Sequence, residues 1–202
     1  LSWGATLGVF YFSNYGTTFM VDLGWAYNTV LIIGALGVIG TPLGDVTVSL
    51  FSDKGGRRIP IIIMSCVAGL LCLLRGWATP VLGDLYQANA SLLYPAILVV
   101  IGILFSAFGG GTMTLMWTYL AESFPTRIRS NATGIVFASA RLIAVPVTLT
   151  VPATYVAIGY FGVNIVNSLW YFIPAAFALM WGINSAQKSL EELEIEAEKM
   201  TC

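Results

Sequence analysis

Histidine is absent from this 202-residue chain, and charge is scarce: nine Lys and Arg and ten Asp and Glu make up 9% of the residues. The missing imidazole removes the commonest neutral-pH proton carrier and the commonest nitrogen ligand for a metal. So little charge excludes a water-facing globular surface, because soluble domains carry about a quarter of their residues as charged ones. Cysteine is rare too. Cys66, Cys72 and Cys202 are too widely spaced for a CxxC site, and the first two lie in an apolar run as small core hydrophobes. A net charge of −1 leaves no electrostatic basis for a nucleic-acid partner. Neither a metal nor a cofactor is expected. An initiator Met is also missing: the chain opens at Leu1 inside an apolar phrase and without the basic segment of a signal peptide. It reads as a fragment or processed chain whose upstream part is missing.

What is present is apolar: 57% of the residues are hydrophobic and mean hydropathy is +0.84. Continuous runs cover 2–21, 28–51, 59–78, 94–120, 132–158 and 163–184. Each is long enough to cross about 30 Å of hydrocarbon as a helix of about 20 residues. Continuity rather than alternation favours helices over a barrel. The expected fold is therefore an all-α integral membrane protein with a six-helix bundle over 1–184. Pro146 and Pro152 predict a kink in the fifth span. Residues 185–202 read as a solvated acidic tail helix, opened by Ser189 with Glu192 as a capping box.

Charge placement orients the spans. Lys54, Arg57 and Arg58 follow the second, Arg127 and Arg129 the fourth, and Lys188 and Lys199 the sixth. Parity places all of them on one face, with only Arg75 near the other, where it reads as a structural residue that snorkels to the boundary. The positive-inside bias makes both ends of the chain cytosolic.

Two ionisable residues fall within spans, Asp45 in the second and Arg141 in the fifth. Facing lipid would cost each several kcal/mol, so each should face protein or a wet cavity. A substrate or ion site, in which Arg141 attracts an anion and Asp45 exchanges a proton, accounts for them; so does a structural pair or a local water-filled pocket. In the first span Tyr11, Phe12, Tyr15 and Phe19 recur at spacings of three and four, with Asn14 and Thr18 close to the same face. Lining a solute cavity and forming an aromatic packing stripe both fit that pattern. Gly34, Gly37, Gly40, Gly44 and Ser49 form a small-residue face suited to close helix packing. Gly109, Gly110 and Gly111 weaken a helix by about 1 kcal/mol each relative to Ala, which points to a bend, a close crossing or a cavity wall.

SLFSDKGGRR resembles the loop signature of the major facilitator superfamily, with Ser49 on its first glycine position, Asp53 on the acid, Lys54 on the base after it, Gly56 on the second glycine, and Arg57 and Arg58 on the basic pair. AESFPTRIRSNATG is similar to the segment after the tenth helix in the sugar-porter and organic-acid branches, with Glu122, Pro125 and Arg129 on its characteristic positions. The tail QKSLEEL echoes the end of sugar porters.

This register implies that the chain corresponds to helices 7 to 12 of a twelve-helix transporter, whose two halves rock about a central site. The resemblance implies secondary active transport of a small solute in the plasma membrane, beside an N-terminal six-helix half, with proton coupling and no enzyme activity. It also implies a conformational latch built from Asp53, Arg57, Arg58, Glu122, Arg127 and Arg129, pairing Glu122 with Arg57 or Arg58 and Asp53 with Arg127 or Arg129. Asn131 is expected to cap the fifth span beside this latch. The first span lacks the paired glutamines of sugar porters. The stretch 140–143 keeps Arg141 of a Gly-Arg-x-Gly-like motif without its glycines, which favours an organic anion over a hexose. A non-transporting accessory subunit of a larger membrane complex is the alternative.

Overall fold

The computed structural model describes residues 2–13, 15–55, 57–89, 91–124 and 126–181, without the side chains at 12, 13, 53–55 and 181. Asn14, the Asp53 side chain, Pro125 and the expected tail 185–202 lie outside the described residues. Among the described residues the chain is helical throughout: α1 (Ser2–Ser13), α2 (Gly16–Asp22), α3 (Tyr27–Gly37), α4 (Gly40–Gly55), α5 (Arg58–Asn89), α6 (Leu93–Glu122), α7 (Arg129–Leu149) and α8 (Val151–Trp181). These form a six-span bundle. α1 with α2 makes the first span and α3 with α4 the second. α8 divides at Gly159, whose φ of 70° and ψ of −176° are accessible essentially to glycine alone. Residues 151–158 therefore complete the fifth span and those after Gly159 form the sixth.

Local chemistry explains the breaks. Gly24, at φ 85°, closes α2 in a Schellman arrangement: its N–H donates to the Val21 carbonyl and the Trp25 N–H to the Met20 carbonyl. The second span, a single run in the sequence, breaks at Val38 and Ile39. Pro42 sits in the first turn of α4, where its missing N–H costs nothing, and its ring would clash with the carbonyl four residues back, at Val38. The kink expected in the fifth span falls at Thr150, two residues before Pro152, and Pro146 stays inside α7. That helix begins at Arg129 after Ile128, so Asn131 lies inside its first turn and does not cap it.

The third span differs most from expectation. α5 does not stop near residue 78 but runs through Pro80 to Asn89. Trp25 explains the extension. Its buried indole stacks on Tyr86 with ring centroids 5.2 Å apart, donates from Nε1 to the Thr79 carbonyl at 3.3 Å, and lies against Gly83. Continuing the helix buries this side chain and supplies a donor beside the proline.

Backbone proximity organises the rest. Lipid tails give apolar helices no reason to prefer one another over solvent, so close approach through small residues sets the contacts. A Cβ on Gly40 would strike the Ile103 carbonyl, and one on Gly44 the Ala107 carbonyl, while Gly37 lies against Gly102. α4 and α6 thus run alongside each other with their backbones touching. The three consecutive glycines of α6 each meet a different neighbour: Gly109 the Tyr171 hydroxyl, Gly110 the Thr41 side chain, and Gly111 both Val48 and Met64. α6 is unbroken there, so close crossing rather than bending accounts for them. α5 packs against α8 in the same way, with Gly69 under the Phe172 ring and Gly76 against Asn164. Leu70, Leu74, Trp77, Leu142, Leu149 and Leu179 remain on the outside, an apolar surface suited to hydrocarbon.

This packing makes a graded prediction. Gly40→Ala and Gly44→Ala should each lower stability by about 2 kcal/mol, because the obstacle is backbone that cannot swing away. Gly34→Ala, with nothing within 4 Å of its Cβ position, should be neutral or slightly stabilising. Thermal unfolding of the purified variants in detergent measures the difference.

Candidate functional site

The helices line an open cavity of about 610 Å³ between α1, α2, α3, α4, α5, α6 and α8, within the range of about 300–1,000 Å³ usual for small-molecule sites. Its wall is largely apolar and glycine-rich, with Val9, Met20, Ile33, Leu98, Phe105, Met113 and Trp117 beside Gly8, Gly16, Gly37 and Gly102. Hydroxyls come from Thr17, Thr41, Thr79, Ser106, Thr114, Tyr160 and Tyr171. Among the described lining residues the ionisable groups of permanent charge type are Asp45 and Arg75.

Asp45 is on the cavity wall, where the Thr114 hydroxyl donates to its Oδ1 at 2.7 Å. The close α4–α6 contact at Gly40 and Gly44 brings these residues opposite each other. Arg75 is the residue that sequence reasoning misplaced. It stands near the middle of the 32-residue α5, which continues well past residue 78, and it lines the cavity. Its guanidinium carbon lies 4.6 Å from the centroid of the Phe105 ring, a cation–π contact. The signal for this depth was present in Val81, Leu82, Leu85 and Tyr86, whose spacing continues a helical pattern beyond Pro80.

The aromatic face of the first span turns elsewhere. Tyr11 is buried in a cluster with Phe19, Val151, Tyr160 and Val163, and its hydroxyl donates to Thr154 at 3.4 Å. Tyr15 stacks on Phe19, which stacks on Tyr155 at 4.1 Å. Thr18 is exposed. Tyr11, Tyr15 and Thr18 are therefore not on the cavity wall, to which the first span contributes Gly8, Val9, Gly16, Thr17 and Met20. Arg141 is also off this wall. It is exposed, with its guanidinium carbon 4.2 Å from the Phe10 ring centroid.

Behind the cavity, α5 and α8 share a buried polar seam. The Cys72 thiol donates to the Asn164 carbonyl at 3.4 Å, and the Asn167 amide donates to the Cys72 sulfur at 3.3 Å. Tyr160 donates to the Thr79 hydroxyl at 3.3 Å, which in turn donates to the Arg75 carbonyl at 2.8 Å. Cys72 is thus a polar partner as well as a small core residue.

At the end of the bundle where α4 meets α5, Arg57 holds Glu122. Its Nη2 is 2.8 Å from Oε1 and its Nε 3.1 Å from Oε2, a bidentate arrangement. Arg57 Nη1 also donates to the buried Ser52 hydroxyl. Arg58 goes elsewhere, its Nε donating at 3.0 Å to the Ala178 carbonyl near the end of α8. Arg129 donates to the Phe124 carbonyl at 3.3 Å, and Arg127 is exposed. Of the expected latch residues, the structure therefore brings together Arg57 and Glu122.

Similarity to known proteins now bears on this geometry. The family described as "Sugar (and other) transporter" matches residues 1–197. The chain belongs to that family. YaaU, a candidate metabolite transport protein of Escherichia coli K12, is 33% identical over 130 residues, covering 60% of the chain and 28% of that protein. YdjE, an inner membrane metabolite transport protein of the same organism, is 24% identical over 181 residues, covering 87% of the chain and 36% of its own length. The chain thus spans about a third of the curated relatives it matches. A sugar-transporter-family chain of six membrane helices accounts for the fold, and the relatives named are transport proteins rather than enzymes.

The cavity makes a prediction about water. In a cysteine-free background, Ser106→Cys and Thr41→Cys should react with a membrane-impermeant thiol reagent at least about tenfold faster than Leu70→Cys on the outer face. Mass spectrometry of labelled membranes reads the rates.

Proposed function

We propose that this chain forms the C-terminal half of a twelve-helix secondary active transporter, which moves a small solute across the plasma membrane through the cavity described above. The observation that carries this reading is the cavity itself, a site of small-molecule size inside a membrane bundle, bearing two ionisable groups that an apolar protein would otherwise exclude. An N-terminal six-helix half closes the other side, and rocking of the halves exposes the cavity to each face in turn. Both ends of this chain are cytosolic in this arrangement.

Arg57 and Glu122 form the conformational latch on the cytosolic side. The pair ties the connection before α5 to the end of α6 and is only partly exposed, at 15% and 32%. It contributes about 1 kcal/mol, enough to bias two states that differ by a few kcal/mol without locking either. Asp53, Arg58, Arg127 and Arg129 supply further charge at the same mouth. Asp45 is the proton-exchanging group of the pathway, its Oδ1 accepting from the Thr114 hydroxyl. Arg141, exposed on α7, contributes to the solute path at the junction with the other half.

Removing the latch should shift the conformational equilibrium rather than unfold the protein. Glu122→Gln and Arg57→Gln should each slow solute uptake at least about fivefold and raise cytosolic accessibility of a Ser106→Cys probe, and the swap Arg57→Glu with Glu122→Arg should restore part of both. Unchanged uptake and accessibility in the single variants would remove the latch.

A further inference from the structure

We infer that the solute is a small organic cation, an amine with an apolar body, and that Asp45, on α4, is the group that receives its charge. This deepens the transport reading given above and rests on it.

Asp45 lines the cavity and is only partly buried, and among the described residues it forms no ion pair. The Thr114 hydroxyl donates to its Oδ1 at 2.7 Å. A carboxylate has two oxygens and about four acceptor sites; a hydroxyl takes one of them and brings no charge. A carboxyl group inside an apolar bundle marks a solute or ion path by default.

Further acceptors and an aromatic face stand beside it. Thr41 is four residues earlier on α4, a spacing that shares one helix face, and it lines the same cavity. Asp45 with the hydroxyl oxygens of Thr41 and Thr114 therefore presents acceptors to the three N–H donors of an ammonium. Trp117 follows Thr114 by three residues on α6, is half-exposed, and belongs to the same wall. An indole face attracts a cation.

The basic residues do not cancel this site. Arg75 has Nε and Nη2 buried in protein and its guanidinium against Phe105. It stands seventeen residues after the start of α5, whereas Asp45 is ten before the end of α4. With a rise of about 1.5 Å per residue from the shared connection, the two differ by about 10 Å in depth, a separation over which a wet, salt-containing cavity screens charge. Arg141, the cation expected to attract an anion, is off this wall and lies against Phe10.

The remaining wall selects the body of the solute. An inorganic cation would need about six oxygens drawn around it. One carboxyl group beside the flat and aliphatic surface of Phe105, Met20, Met113 and Leu98 suits a cation that brings its own hydrocarbon.

Equilibrium binding to the purified full-length protein in nanodiscs tests this, with radiolabelled 2-phenylethylamine as the probe. Its neutral and anionic counterparts of similar shape, 2-phenylethanol and phenylacetate, are the competitors. Saturable binding that neither competitor displaces is expected. Asp45→Asn keeps an acceptor for Thr114, so it should melt normally yet weaken binding at least about tenfold, and Asp45→Glu should weaken it less. If Asp45→Asn does not fold, Asp45→Glu decides: moving the carboxyl group by one methylene should still reduce affinity several-fold, and unchanged affinity would overturn the assignment. It is equally overturned by a wild type that binds no probe, by displacement with phenylethanol or phenylacetate, or by full binding in a folded Asp45→Asn protein. A protein that binds the amine through Asp45 but never accumulates it in proteoliposomes would leave this assignment standing and count against the transport reading alone.

Discussion

The contact between the backbones of α4 and α6 is the constraint on which the rest depends. Gly40 and Gly44 have no side chain to hold Ile103 and Ala107 away, so the two helices approach as closely as main chains can. Once that register is set, the contacts further along the two helices follow from it. Thr41 faces Gly110, Val48 faces Gly111, Asp45 reaches the Thr114 hydroxyl, and Arg57 reaches Glu122. A packing interaction between residues without side chains thereby aligns a polar wall and an ion pair two turns apart. In lipid this arrangement has a physical logic, since close van der Waals contact and polar pairing replace the hydrophobic drive that water would supply.

The same economy of side chains makes the cavity. Where α3 diverges from α4 at Val38, Gly34 faces open space and Gly37 meets only the backbone of Gly102. On the other wall α5 and α8 are fastened by the Cys72, Asn164 and Asn167 seam, which occupies polar groups behind Arg75 and leaves its guanidinium against Phe105. Rigid packing at α4–α6 and α5–α8 thus frames a site whose own lining is light and open.

Much of this was legible in the residues. Run length marked the six spans because hydrocarbon thickness sets a minimum that loops rarely meet, and the glycine spacing of three and four marked a face of which Gly40 and Gly44 pack against α6 while Gly34 faces the cavity. Residue-level roles were harder. Tyr11, Tyr15 and Phe19 form a stripe in the sequence, but which neighbour the stripe meets depends on the rotation of α1 and α2, and it meets α8. Arg75 was placed near a boundary because its apolar run ends at residue 78; α5 continues to Asn89, with Trp25 packed against the extension. Arg57 rather than Arg58 takes Glu122 because Arg57 lies in the connection before α5, while Arg58 begins the helix and points to the end of α8. Tertiary contacts, not local pattern, decided each of these.

Cross-linking tests the α4–α6 register most directly. A Cβ at Gly110 would lie 3.5 Å from that of Thr41, at the short end of disulfide geometry. In membranes bearing the full-length protein, Thr41→Cys with Gly110→Cys should join under mild oxidation, and Gly34→Cys with Gly110→Cys should not. Failure of the first pair to form, or equal yield from the second, would contradict the account.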